Sequence, residues 1–399
     1  MQLHIKHKMK TLVLALTLLI GSTHLLQAQQ ITPLKHLNIA IFAPLYLDSA
    51  FDGSYYKYGK AFPKFATAGL EFIHGAKIAL DSIAIEGVAI HAFIFDSKAE
   101  IKNIPWLVEN LKLDSMHLLI GSVKDVEVTQ LASFAKQKNI PFISATAPND
   151  GGITSNPFFI IVNGTLKAHC ETMYSYLLQN NSGDNIYLVR KAGTQEDKIA
   201  SYFKQLNEPD KNKLLQIKTL FIDSSFAEIE GKLDSTRKNI IIGASLNETF
   251  AAGLSKTLYP LKKTYPITLL GMPNWYGMSD LKKAALKDLE IQYTAPYYNA
   301  KADIYSKKIQ AEYIRKFKTN PTEMSFKGFE AVFLFAKLLG KYPDDFTSHL
   351  NEITKQAFGE YNFKPVYVKK DAPLPDYFEN KHLYLMKLVN GKSYRMWDK

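Results

Sequence analysis

From residue 37 onward the chain alternates between two textures, and this alternation restricts the possible folds more than any other feature. Short, nearly uninterrupted apolar runs are each followed by an amphipathic stretch. Apolar runs without polar alternation suit strands covered on both faces, as in parallel sheets. The first four runs are Leu37–Ala43, Ile90–Asp96, His117–Gly121 and Pro141–Thr146. Between them, Gly69–Ala84, Pro105–Leu113 and Glu127–Lys138 carry helical spacing. In the first of these, Ile73, Ala76, Leu80 and Ile83 fall on one face. Strands alternating with helices predict an α/β protein with a doubly wound parallel sheet.

The Pro-, Gly- and Asn-rich stretch 147–157 (APNDGGITSNP) interrupts the series and reads as a crossover. A second series follows at once. Its strands are Phe158–Val162, Asn185–Arg190, Gln216–Asp223, Asn239–Gly243 and Pro266–Gly271. Its helices are Ala168–Gln179, Gln195–Leu206, Phe226–Leu233 and Glu248–Leu261. Then come a strand, Ile291–Tyr297, and the helices Ile304–Lys318, Ser325–Leu339 and Asp344–Gln356. Asn390-Gly391 marks a hairpin across the tail, Leu383–Trp397. Two doubly wound units predict two lobes, the first from 36–147 plus 296–372 and the second from 148–295 plus 373–399. Open α/β sheets bind ligands beyond the carboxyl ends of their strands, so both sets of loops should face one cleft.

The first thirty residues read differently. Lys6, Lys8 and Lys10 precede an apolar run, Thr11–Gly21, and small residues lead to Ala28. That order predicts a secretory signal peptide over residues 1–28. The apolar run is too short to span a bilayer, which takes roughly twenty residues. No cysteine follows it, so the mature protein is expected to be soluble in the periplasm and not a lipoprotein. Removing the three leader lysines lowers the net charge from +11 to +8. That surplus is dispersed and forms no basic block, which gives nucleic-acid binding no support. With Cys170 as the single cysteine, neither an intrachain disulfide nor a Cys-based zinc site can form.

Catalytic signatures are missing. Gly243-Ala244-Ser245-Leu246-Asn247 lacks the closing glycine of a nucleophile elbow. There is no phosphate-cradling glycine loop and no H-E-x-x-H. His169-Cys170-Glu171 has the H-x-E shape of a zinc deaminase, without the second cysteine that chemistry needs. His74 and His91 read as core groups within a helix and a strand. The sequence offers no positive reason to propose an enzyme or a cofactor, and the expectation is of a non-catalytic protein.

Three stretches carry a resemblance to a known family. Residues 69–81 (GLEFIHGAKIALD) resemble the first-helix F-x-x-G-A-x-x-A-L-D of type I periplasmic binding proteins. Leu119-Ile120-Gly121-Ser122, with QLASFA at 130–135 and NIPFIS at 139–144, resembles that family's third and fourth β units. Phe326–Val332 (FKGFEAV) resembles its late G-Y-D-A-V helix. The similarity spans nearly all of 36–399 and is nearest to amino-acid and branched-chain amino-acid substrate-binding proteins of ABC transporters. Gly271–Trp275 and the Ala-Gln leader end are similar to versions common in Bacteroidota.

The resemblance implies two lobes joined by three crossings, with a small polar ligand clamped between them by hinge closure. It implies no cofactor, a monomer, and a membrane permease or envelope component as partner. In the amino-acid binders the loops after strands three and four hold the ligand carboxylate. The matching positions here are Ser122 and Lys124, then Ser144 and Thr146. On the second lobe an acid after the Pro266–Gly271 strand pairs with the ligand ammonium. That loop here holds Asn274 and Trp275 and no acid, so Asn247 and Glu248 are the expected substitutes. The loop Tyr46–Ala68 is long and dense in aromatics, and Tyr46 is its expected ligand contact. The alternative is an exported module of the same fold that binds an envelope protein or peptidoglycan without transport.

Overall fold

A computed structural model of the chain describes residues 36–396 apart from 210, 211, 224, 284, 285, 287 and 354–358. The leader expected over 1–28 lies outside the described residues.

Two seven-stranded, mostly parallel sheets form the two lobes. The first runs in the order β13-β14-β7-β6-β5-β1-β4. Its strands are β1 (Leu37–Ala43), β4 (Ile90–Asp96), β5 (Leu118–Gly121), β6 (Phe142–Ser144), β7 (Phe159–Ile161), β13 (Phe363–Val366) and β14 (Tyr377–Asn380). The second runs β16-β15-β12-β11-β10-β8-β9. It contains β8 (Asn185–Arg190), β9 (Ile217–Phe221), β10 (Asn239–Gly243), β11 (Ile267–Leu270), β12 (Ile291–Ala295), β15 (Tyr384–Val389) and β16 (Lys392–Arg395). The expected strands and most expected helices are present, with ends shifted by a few residues. Phe226–Lys232 and Thr347–Ile353 wind as 3₁₀ helices.

The lobe boundaries drawn from sequence need two corrections. Phe159–Ile161 pairs parallel with Phe142–Ser144, in the first sheet and not the second. Tyr377–Asn380 pairs with Phe159–Ile161, so it too belongs to the first sheet. The 147–157 stretch is therefore a loop of the first lobe. Asn156 fastens it there by donating its amide to the Ala132 carbonyl at 2.9 Å, and the Ser155 N–H donates to Asp376 at 2.7 Å. A Pro/Gly-rich stretch identifies a loop but carries no information about which sheet receives the next strand.

The crossings fall after β7, after β12 and after β14. Asn380 clasps the first to the third. Its carbonyl accepts the Asn362 and His382 N–H groups, each at 3.0 Å, and its amide donates to the Val162 carbonyl at 3.3 Å.

Helices Ile304–Phe317 and Glu323–Lys341 return to the first lobe and share its core with Lys64–Ile85. The contact between Lys64–Ile85 and Glu323–Lys341 is close because glycines meet there. A Cβ on Gly75 would lie 1.8 Å from the Ser325 carbonyl oxygen, and one on Gly328 would lie 2.0 Å from that of Phe72. The glycines of the two family-like helices thus set the distance between them. His74 stacks on Phe317 and bonds the Tyr313 hydroxyl at 3.2 Å, as a core histidine should. His91 does not fit that expectation. It is exposed on β4, an edge strand of the sheet, and stacks on His36.

Candidate functional site

At the carboxyl ends of β1, β5 and β6 lies a pocket of about 260 Å³. Its frame is built by Asp96 at the end of β4. That carboxylate accepts the N–H groups of Leu45 (2.9 Å), Tyr46 (3.1 Å), Leu47 (2.7 Å) and Lys98 (2.9 Å). Gathering these donors turns the chain sharply after β1 and puts Tyr46 in left-handed backbone, φ 54°. Tyr46, Ser122, Lys124 and Thr146, four of the residues expected from sequence, line this pocket together. The Ser122 and Thr146 hydroxyls are 3.3 Å apart. Lys98, also on the wall, pairs with the buried Glu127 carboxylate. Glu127 accepts the Lys124 N–H at 3.2 Å as well. The pocket therefore offers hydroxyls and one exposed lysine, Lys124, beside a neutralised ion pair. Such groups recognise an anionic oxygen.

The aromatic loop folds on itself. It contains a short helix, Leu47–Ala50, and a two-stranded hairpin of β2 (Phe51–Asp52) and β3 (Tyr55–Tyr56). Tyr46 and Tyr58 both set their rings edge-on to Phe65, at 5.2 and 5.8 Å. Tyr55 is left 73% exposed.

A larger cavity, about 700 Å³, opens between the lobes beside the crossings. The first lobe contributes Asn149, Asp150, Phe326 and Tyr377, and the second contributes Lys198, Tyr202, Asn274, Tyr276 and Tyr293. The crossing after β12 adds Tyr297, Tyr298 and Lys301. Tyr276 and Tyr293 stack, with ring centres 5.6 Å apart. Burial raises the Tyr276 hydroxyl to about 12, so it remains a hydrogen-bond donor at neutral pH. His169 also borders the cavity. Burial lowers it to about 3, and its Nδ1 lies 2.7 Å from the Thr294 hydroxyl, so it is neutral. Its sequence neighbours point elsewhere. Cys170 is core, its thiol raised by burial to about 12, and Glu171 pairs with Lys381 at 2.9 Å.

Asn274 reaches this cavity while holding the Leu246 carbonyl at 2.8 Å. The other expected residues have different work. Ser144 is fully buried within β6. Asn247 caps helix Glu248–Leu261, accepting the Phe250 N–H at 2.9 Å. Glu248 accepts the Ser279 N–H at 3.1 Å. Trp275 is fully buried, and its indole N–H donates to the Ser245 carbonyl at 2.8 Å. Trp275, expected as a ligand contact, instead fills the core above two glycines. An acid on the cavity wall that the sequence reading missed is Asp150, in the stretch given to the crossover. The clue available was its position one loop beyond Thr146.

No protein-family model and no curated protein sequence matches the chain. Solved structures do match its shape. A Rhodospirillum rubrum structure described as a branched-chain amino acid ABC transporter is 14% identical, with TM-score 0.65 over 90% of this chain and 99% of that one. A branched-chain amino acid ABC transporter periplasmic ligand-binding protein of Burkholderia xenovorans is 12% identical, with TM-score 0.61 over 90% and 94%. An ABC transporter substrate-binding protein of Desulfitobacterium hafniense in complex with Leu is 14% identical, with TM-score 0.55 over 91% and 100%. The chain has the two-lobed fold of type I periplasmic binding proteins.

Proposed function

We propose that this protein is an exported, non-catalytic solute-binding protein that clamps a small polar ligand between its lobes and delivers it to an ABC-type permease. The observation that carries the reading is the cavity of about 700 Å³ walled by both lobes beside the hinge, with a hydroxyl-lined pocket at the first-lobe strand ends. A concave site of roughly 300–1,000 Å³ with a few polar groups among apolar walls suits a small molecule. Three strand crossings allow hinge closure around it. Among the described residues no helix is long and apolar enough to cross a membrane. Export to the periplasm rests on the signal read in residues 1–28.

The experiment is a thermal-shift screen of the mature chain against amino acids, short peptides and cell-wall fragments. A ligand at a hundred times its Kd adds about 2.7 kcal/mol of stability, an easily read rise in Tm. No rise with any solute at millimolar concentration would overturn the reading.

A further inference from the structure

The interlobe cavity has a charge pattern that a plain aliphatic amino acid does not use. Asp150 is fixed at both carboxylate oxygens. Oδ1 accepts the Gly152 N–H at 3.0 Å, and Oδ2 accepts the Tyr377 hydroxyl at 3.2 Å. Neither partner is a cation, and Asp150 has no ion pair among the described residues. It is a held, un-neutralised carboxylate on the first-lobe wall.

Lys198 stands on the second-lobe wall, close enough to the Tyr202 hydroxyl to act on its ionisation. Tyr202 lies under the influence of both charges. Burial raises its hydroxyl, Lys198 draws it back, and Asp150 adds to the rise. Lys301 borders the cavity from the crossing after β12, its ammonium 5.5 Å from the centre of the Phe326 ring. Neither Lys198 nor Lys301 has an ion-pair partner among the described residues. By contrast, Glu323 and Lys327 on the same wall neutralise each other at 2.6 Å. One free acid and two free cations thus face a space bordered by tyrosines.

We propose that the cleft's ligand is a short peptide with a free amino end, and that Asp150 receives its ammonium while Lys198 and Lys301 receive its carboxylates. A peptide supplies both charges and separates them. Its flat amide groups and apolar side chains match tyrosine faces, and its N–H and C=O groups match tyrosine hydroxyls. The open cleft of about 700 Å³ has room for a short peptide. This inference rests on the solute-binding reading and narrows it to one ligand class.

Calorimetry and thermal shift on the full mature chain test it with three probes. They are a glutamate-containing tripeptide with free ends, the same peptide N-acetylated, and free leucine. The free peptide should raise Tm and the acetylated one should bind at least tenfold more weakly. Asp150→Asn should erase that preference for the free amine. Lys198→Met should weaken the free peptide about tenfold and leave the preference intact. Equal binding of both peptides, or binding of leucine without the peptide, would overturn the ligand class and leave the clamp standing. No binding by any amino acid, peptide or cell-wall fragment would overturn the clamp itself.

Discussion

The Glu379 carboxylate accepts the backbone N–H of Thr165 at 2.6 Å, joining the last parallel strand of the first lobe to the start of the second lobe's first helix. Glu379 is almost fully buried and also pairs with Lys381 at 2.6 Å. Burial works against the Lys381 charge, but the Glu379 and Glu171 carboxylates outweigh it and raise its pKa. Without Glu379 the buried Thr165 N–H loses its acceptor, at a cost of about 1–3 kcal/mol, while Lys381 keeps Glu171. Glu379→Ala should lose that much stability in urea unfolding. A loss below 1 kcal/mol would mean the crossings are held without this pin.

The β-α alternation reported the parallel strands and most helices because it is a local signal, set by which faces are buried. Strands β13 and β14 were not legible. Their pattern is short and broken by polar residues, and Glu379 and Asn380 are buried only because they serve the hinge. The first-lobe pocket was legible through Ser122 and Thr146, which stand at strand ends. The second-lobe wall was legible only through Asn274, because Lys198 and Tyr202 lie in a segment distant from Tyr276 and share a wall with it only once the second lobe has folded. Trp275 was misread because an aromatic after a strand looks the same whether it faces a cleft or a core.

Two glycines make room for that tryptophan. A Cβ on Gly243 would fall 2.3 Å from the Trp275 ring, and one on Gly271 would fall 2.4 Å from it. Gly271→Ala should therefore destabilise the protein by about 1–3 kcal/mol through overpacking. A double variant with Trp275→Leu should recover part of the loss. Gly271→Ala with unchanged unfolding midpoint would show that the indole can shift freely.

Stability should fall as pH rises from about 4.5 to about 7 because of Glu330. Burial pushes this carboxyl from 4.5 to about 7, against the opposing bonds from Tyr361 and the Gly359 N–H. A raised folded-state pKa gives stability that is complete below about 4.5 and is lost on the way to about 7. On the order of 3 kcal/mol separates the two ends of that range. Glu330→Gln should keep the Gly359 bond at Oε1 and flatten this part of the profile. A wild-type profile already flat between pH 5 and 7 would contradict the assignment.

Asp125 has φ 52° and ψ −126°, a region suited to glycine, at the start of helix Val126–Lys138 beside the pocket. Its side chain makes no capping bond there. Such backbone costs on the order of 1–3 kcal/mol in a non-glycine residue. Asp125→Gly loses up to about 1 kcal/mol to unfolded-chain freedom, so a net gain of about 1 kcal/mol is expected. The check is the Tm without ligand, which should rise. A fall would mean that the Asp125 carboxylate contributes to the fold in some other way.

Thr146 tests the first-lobe pocket itself. It follows β6, its carbonyl is held by the Asn163 amide at 2.7 Å, and its hydroxyl faces that of Ser122 at 3.3 Å. The backbone is thus fixed without help from the hydroxyl, which is half-exposed on the pocket wall. Thr146→Val keeps the branched shape and removes one donor. If the pocket holds an anionic oxygen of the solute, the lost charge-assisted bond is worth on the order of 1.5–3 kcal/mol. The dissociation constant of a solute found by the thermal-shift screen should then rise about tenfold or more. The Tm without ligand should stay nearly constant, since the Ser122 hydroxyl still borders the open pocket. Unchanged affinity with unchanged Tm would place the solute wholly in the cavity beside the hinge. An early-melting variant would make the Ser122–Thr146 contact a structural one.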